Sequence, residues 1–474
     1  MIDRRMMLGS GLGYAAALGG DAAMPAAAAQ YPKLAVAGAF DCDARTLDAA
    51  SEDFGHVVRR RPWLVVRPAS AADIAAVIRW ADIRRLKVAA RGQGHSTYGR
   101  AMAFGGIVID MGAMNAVHLI EPDRVVVDAG ATWQEVLAAT LPRGLTPPVL
   151  TNYLGLSVGG TLAVGGIGGA TSRNGMQTDN VLALDVVTGD GRELACSAEH
   201  NRDLFDAVRG GLGQCGIVTR ATLRLVPAPE RVRRVQLFYP DLHSLTADQR
   251  LVLGEGRFDQ LQGAVLPDTD GWRYQIEGAV YYDGGAAPDI EARLAGLSDL
   301  REEAATTDLA YLDDATAFAK LEALLRANGQ WFTPHPWWLS FLRGSNAEHV
   351  ATGIIEELSL EDIGPFGRVA WYPLATQALR APLLRMPEEE VAFVFNLIRF
   401  PPSDDPATVE ATVARNRALY ERVRGEGGVL YPVSAFPMTA EDWREHFGPA
   451  WPRLREAKAR YDPHNTLTPG YEVF

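Results

Sequence analysis

Cysteine is almost missing from this 474-residue chain: Cys42, Cys196 and Cys215 are all it has. Three thiols build no disulfide framework. None sits in a C-x-x-C pair or beside histidine at metal-ligand spacing, and the nine histidines are dispersed. Basic runs are missing too. Lys and Arg total 46 against 58 Asp and Glu, a formal net charge of −12. That balance argues against nucleic acid or an acidic lipid surface as partner. No apolar run is long enough to cross a bilayer. Internal repeats are also lacking. What remains is an ordinary globular composition, 47% hydrophobic and 22% charged, with length for two or three domains.

The first thirty residues stand apart. Arg4-Arg5 precede an apolar, Gly- and Ala-rich run from Met6 to Gly20, and Ala27-Ala28-Ala29 offers small residues before Gln30. A positive start, an apolar middle and a small-residue end predict an export signal over 1–29. The paired arginines make it twin-arginine-like, so the expected location is exported or periplasmic.

From Trp63 the chain reads as alternating strands and helices. Trp63 to Pro68 is a short apolar strand, and Ser70 with Asp73 caps the helix that follows. Strands are predicted at Lys87–Ala90, Gly106–Asp110, Arg124–Asp128 and Val181–Thr188, the last turning back through Gly189-Asp190-Gly191 into Arg192–Ser197. Thr132 and Glu135 cap a helix reaching about Thr140. A short helix follows at Asp203–Val208, then a half-buried strand at Ile217–Leu225. Pro227-Ala228-Pro229 marks a boundary. Beyond it, Trp272–Tyr282 reads as a strand, and helices are expected around 290–300 and 315–325. Aromatics concentrate at Trp331, Phe332, Trp337, Trp338, Phe341, Trp371 and Tyr372. They suit an apolar core or a pocket that stacks a flat ligand equally well.

Two glycine-rich segments carry chemistry. Gly92-Gln93-Gly94-His95-Ser96 follows a strand, and Gly159 to Gly169 is denser still. Such loops let backbone N–H groups approach a phosphate, since no Cβ intervenes. A histidine in one of them lies at cofactor depth, so the pair suggests a dinucleotide with a reactive side chain against it. A nicotinamide fingerprint would need strand, Gly-x-Gly-x-x-Gly and helix within one βαβ unit. The second segment has the glycines without the helix, and the histidine has no role in that scheme.

Gly94-His95-Ser96 followed by Gly105-Gly106-Ile107-Val108-Ile109-Asp110 resembles the flavin-attachment region of FAD-linked oxidases of the vanillyl-alcohol oxidase/PCMH class. Within it the chain is most similar to cytokinin dehydrogenases. Matching stretches are Tyr153 to Leu162, Gln177 to Val181, Gly210 to Ala221, Pro334 to Trp337, Glu441 to Gly448 and Tyr461 to Gly470. The resemblance implies an α+β fold: a two-lobed PCMH-type FAD domain with an inserted α+β substrate domain. The expected limits are 55–229 for the FAD domain, 230–440 for the substrate domain and 441–474 for a segment returning to the FAD domain. It implies that FAD is bonded covalently through His95. It also implies that Gly92, Gln93, Gly94 and Ser96 wrap the pyrophosphate, with Arg100 on the same loop. Ser157, Ala163 and Ile167 would line the second cofactor loop, Ile217 and Val218 the adenine end, and Thr468 and Tyr471 the C-terminal approach to the flavin. Some relatives add a cysteine bond in the stretch Tyr153–Gly160. No cysteine lies there, so a single bond is expected.

The departures fall on the substrate side. Where cytokinin dehydrogenases carry an aspartate just before Tyr-Leu, this chain has Asn152; a substrate-domain glutamate aligns with Gln262; and the glutamine usual after the last Pro-Gly is Tyr471. An amide hydrogen-bonds in both directions but is no base near neutral pH. Asn152 would therefore orient a substrate, with His335, Tyr372, Tyr431 and Glu277 as bases by residue type alone. The expected function is oxidation of a C–H next to nitrogen or oxygen by hydride transfer to flavin N5, with oxygen or a quinone as acceptor. Two alternatives stand beside it: cytokinin dehydrogenase proper, cleaving N6-substituted adenines, and a flavin-binding protein without catalysis.

Overall fold

The computed structural model describes residues 36–474 apart from Asp270 and Pro402. The expected export signal at 1–29 lies outside the described residues. Three sheets and one short pair organise the described chain. The first has the order 39–41, 64–67, 107–110, 88–91. Its last three strands are parallel, and Ala39–Asp41 joins them antiparallel. The crossover from 64–67 is the helix Ala71–Ile83. Its Ser70 hydroxyl accepts the Asp73 N–H, satisfying an orphan donor of the first turn, and Ile74, Val77, Ile78 and Ala81 are buried on one face.

The second sheet, 117–121, 124–128, 216–224, 181–188 and 193–197, is antiparallel throughout. The helix Trp133–Thr140 carries a full Thr132–Glu135 capping box. Inside the glycine block one short helix does form, Val158–Leu162. The next strand, 181–188, belongs to this antiparallel sheet, so no βαβ unit arises around it. Leu145–Thr146 pairs with Val226–Pro227.

The third sheet has eight antiparallel strands in the order 305–310, 231–239, 271–282, 260–268, 368–375, 391–398, 338–343, 429–430. Helices Leu242–Gly254, Ala347–Ile355 and Pro406–Gly425 accompany it. Two expected helices change. The helix near 290 ends at Leu294, because Ala295 turns extended and Gly296 takes φ +75°. The helix near 315 is two pieces, Tyr311–Ala315 and Phe318–Ala327. The aromatic concentration also divides. Trp338, Phe341 and Trp371 are fully buried core, Trp371 stacking on Phe393, while Trp331 and Trp337 face His95 and Phe332 is exposed.

The final segment returns to the first sheet. After the helix Trp451–Tyr461, Val88 donates to the Thr466 carbonyl and accepts from Thr468 N–H, each at 2.8 Å. This places Thr468 and Tyr471 beside the strand that leads into the His95 loop.

Candidate active site

The His95 loop leaves its strand at Arg91. Gly94 has φ +64°, a conformation glycine adopts without a steric penalty. The loop is held by a segment some forty residues earlier. Phe54 N–H donates to the Gly94 carbonyl (2.8 Å) and Gly55 N–H to the Ser96 carbonyl (3.0 Å). The Asp53 carboxylate accepts from Ser96 Oγ (2.7 Å) and from Gly99 N–H (2.6 Å). Phe54 stacks flat on the His95 imidazole, centroids 4.0 Å apart, and on its other contact stacks against His335 at 4.1 Å. Tyr153, Trp331 and Trp337 complete the surround at 5.0, 5.8 and 6.3 Å from His95. Burial among these rings pushes the imidazole down to about 3, with His335 and Arg326 adding to the effect. His95 is therefore neutral, with a lone pair on the ring. Asp53 and Phe54 lie just before the FAD domain expected from 55, and Gly55 is its first residue; no sequence motif singles out any of the three.

The backbone N–H groups of Gln93 to Tyr98 take no partner among the described residues. They are free donors of the kind a pyrophosphate requires. Ser157 touches this loop directly: a Cβ on Gly92 would stand 2.0 Å from its Oγ. Ala163 closes the short helix and accepts the Leu212 N–H at 2.9 Å, joining the glycine block to the Gly210–Gly213 turn. Thr468 Oγ1 donates to the Gly213 carbonyl at 2.8 Å. Beneath Gly166, at φ +81°, the Gln177 side-chain oxygen is buried without a partner. Free loop donors, an orphaned buried oxygen and a Cβ-free approach fit a dinucleotide. Gly92 to Ser96, Ser157, Ala163 and Thr468 thus converge.

The remaining expected cofactor residues sit further out. Arg100 turns its guanidinium onto the Gly470 and Phe436 carbonyls, at 3.3 and 2.9 Å, and over the rings of Tyr471 and Trp443. Its Nε is unpartnered. Tyr471 is buried and donates to the Pro432 carbonyl. Ile167 packs with Tyr372 and Tyr431. Ile217 and Val218 lie in the strand 216–224, paired with Val187 and Val186.

Asn152 and Gln262 line one cavity of about 420 Å³, a size that suits a small organic molecule. Its floor is the third sheet. In register, Gln262 stands opposite Glu277, and Glu277 opposite Gln236, on three adjacent strands. Arg234, Arg368, Glu277 and Asp314 contribute two charges of each sign. Asp314 chelates Arg234 through both oxygens. Glu277 accepts from Gln275 Nε2 at 2.5 Å and lies 4.0 Å from Arg368. The rings on the wall are Tyr281, Tyr311 and Phe318. None of the seven aromatics singled out in the sequence lines it. A mixed polar wall replaces the flat apolar slot that the sequence left open.

Of the four bases suggested by residue type, only Glu277 lines the cavity. His335 is fully buried, its ring nitrogens facing the Phe54 and Gln330 carbonyls at 2.8 and 3.1 Å. Desolvation pushes it down to about 4. Tyr372 is buried, which pushes its hydroxyl up to about 12. Tyr431 accepts the Gly166 N–H, and its hydroxyl is raised by burial. Cys196 and Cys215 are buried thiols pushed up to about 12, and Cys42 is exposed.

The fold and the site together define a two-lobed flavoprotein oxidoreductase. The described FAD binding domain family matches residues 62–197, and the family "Cytokinin dehydrogenase 1, FAD and cytokinin binding" matches residues 266–474. An uncharacterized oxidoreductase, ORF5 of the fasciation locus of Rhodococcoides fascians, is 40% identical over 92% of this chain and 99% of its own. Cytokinin dehydrogenase 10 of Oryza sativa subsp. japonica is 38% identical over 92% of this chain and 88% of its own. The chain belongs to the cytokinin dehydrogenase family of FAD-dependent oxidoreductases. The crystal structure of 6-hydroxy-D-nicotine oxidase from Arthrobacter nicotinovorans has the same fold, with a TM-score of 0.71 over 93% of this chain and 99% of that one, at 22% identity. Among the described residues no helix is long and apolar enough to cross a membrane, and no group of His, Cys, Asp and Glu could hold a metal ion.

Proposed function

We propose that this protein is an exported oxidase or dehydrogenase that holds FAD by one covalent bond to His95. Its reaction is oxidation of a C–H next to nitrogen or oxygen in a small substrate that is uncharged or bears a hydroxyl. When bound, the flavin supplies N5 as hydride acceptor, and oxygen or a quinone removes the electrons. One observation carries the reading: Asn152 and Gln262 share a cavity wall, while Tyr153, next to Asn152, lies against the His95 ring. The chain thus passes in one step from Asn152 on the cavity wall to Tyr153 against the His95 ring. Both amides are neutral, so they orient a substrate through hydrogen bonds and add no charge of their own. Glu277 and Arg368 stand behind them as an opposed pair. For export, Arg4-Arg5 and the small-residue run at Ala27–Ala29 are the support.

Anaerobic bleaching of the flavin absorbance tests the function. Neutral alcohols and cyclic neutral molecules are expected to bleach it and amines to do so poorly. A second reading is favoured by the family match over 266–474: oxidation of N6-substituted adenines. Turnover of N6-isopentenyladenine, lost in Asn152→Ala, would establish that reading in place of the first. A purified protein with no flavin would sink both.

A further inference from the structure

We propose that Asp53 is the positioning residue that presents His95 for attachment to the flavin. This rests on the covalent reading above.

The His95 loop has few ties of its own. Its backbone donors from Gln93 to Tyr98 are unengaged among the described residues. Gly94 and Gly99 both have positive φ, +64° and +69°, conformations that give the loop no stiffness from side chains. The His95 ring makes no hydrogen bond among the described residues, so its edge is free while its face is covered by Phe54. The bracket 53–55 supplies most of what fixes the loop, with one further bond from Thr97 Oγ1 to the Val433 carbonyl. Asp53 Oδ2 takes both Ser96 Oγ and Gly99 N–H, one on each side of Thr97. Asp53 Oδ1 takes Gly55 N–H at 3.1 Å, which shapes the bracket itself. The two backbone bonds from Phe54 and Gly55 then set the height of Gly94 and Ser96, on either side of His95. Asp53 is almost fully buried, and burying a carboxylate is costly unless donors surround it. Here three donors and the nearby Arg91 guanidinium do so. The carboxylate is therefore committed to the loop and not to solvent.

Attachment replaces an 8α C–H bond of the flavin by a C–N bond to a His95 ring nitrogen. The C–H and N–H protons leave to solvent, and the two electrons pass through the flavin ring to dioxygen. Such a step gains most from a ring held close to its reacting geometry. A loop released at Ser96 and Gly99 loses that hold, while the remaining cofactor loops still bind FAD.

The experiment compares wild type, Asp53→Asn, Ser96→Ala and His95→Ala. Total FAD is measured in the native proteins and acid-stable FAD after precipitation. The rate of conversion from one to the other is followed after adding FAD to apoprotein. The expected result is full acid-stable flavin in wild type, none in His95→Ala, and attachment at least tenfold slower in Asp53→Asn with total bound FAD close to wild type. Ser96→Ala should slow attachment by a smaller factor. Attachment at the wild-type rate in Asp53→Asn overturns the proposal. Should that variant fail to fold, an unchanged rate in Ser96→Ala overturns it equally. Absence of acid-stable flavin in wild type would instead remove the covalent reading on which the proposal stands.

Discussion

The C-terminal segment depends on one buried ion pair, and removing half of it should be expensive. Lys458 and Asp462 lie one helical turn apart, with side chains 6% and 0% exposed, Nζ to Oδ2 2.6 Å. Lys458 also donates to the Gln214 carbonyl at 3.0 Å. Asp462 accepts the N–H groups of Thr466 (2.8 Å) and Leu467 (2.9 Å), which sets up the bridge of Leu467 to Val88. Asp462→Ala leaves a buried ammonium unpaired and strips two backbone donors of their acceptor. A buried pair broken from one side costs roughly 3–5 kcal/mol, and the two N–H groups place this case at the upper end. Lys458→Met should cost less, about 3 kcal/mol, because the carboxylate keeps two donors. Since each single variant already forfeits the pair, the double variant Lys458→Met, Asp462→Ala should cost less than the sum by about 2 kcal/mol. Urea unfolding in the His95→Ala background, free of attached flavin, measures all three. Thr468 and Tyr471 lie in the segment that Asp462 shapes, so Asp462→Ala should also carry less FAD per polypeptide as purified. An Asp462→Ala penalty under about 1 kcal/mol, or strict additivity in the double variant, would refute the reasoning.

Three further outcomes are expected. In Gly168→Ala the new Cβ would meet the Leu150 carbonyl oxygen at 1.9 Å; the backbone before Asn152 must move, so melting temperature and kcat/KM should fall together. His335 is neutral in the folded state, with its pKa lowered from 6.5 to about 4. The unfolded chain thus binds more protons between those values, and stability is full above pH 6.5 and lost as pH falls towards 4, by about 3 kcal/mol. In His335→Gln that slope should flatten between pH 7 and 4.5 in urea titrations. Asp53, raised to about 6 by burial, works in the opposite sense, but it is common to both proteins and cancels in the comparison. Asn152→Asp puts a carboxylate on the cavity wall, so steady-state kinetics should show amine substrates gaining at least tenfold in kcat/KM relative to neutral ones.

Local signals in the sequence carried much of the first two sheets. Ser70 with Asp73, Thr132 with Glu135 and the Gly189-Asp190-Gly191 turn each act within a few residues, and each forms as expected. The helix expected to 300 stops at Leu294 for an equally local reason, Gly296, which was there to be read. The aromatics could not be sorted, because a ring in a core and a ring near a cofactor have the same apolar character: Trp371 stacks on Phe393, while Trp331 lies against Phe54 and His95. Asp53 and Phe54 were invisible for a different reason. Their bonds to Gly94, Ser96 and Gly99 span about forty residues of chain, and no periodicity marks them. Asn152 and Gln262 are marked only by a family resemblance; the third sheet's register sets Gln262 opposite Glu277, while Asn152 reaches the same cavity from the segment before the glycine block, which no local pattern marks.

Where the flavin is held can be measured directly. Wild-type protein and His95→Ala are denatured in acid, washed free of small molecules, and measured by absorbance and intact mass. A yellow wild-type polypeptide heavier by one FAD is expected, and a colourless His95→Ala polypeptide of bare mass. A colourless wild-type chain, or acid-stable flavin that survives His95→Ala, would contradict attachment through His95.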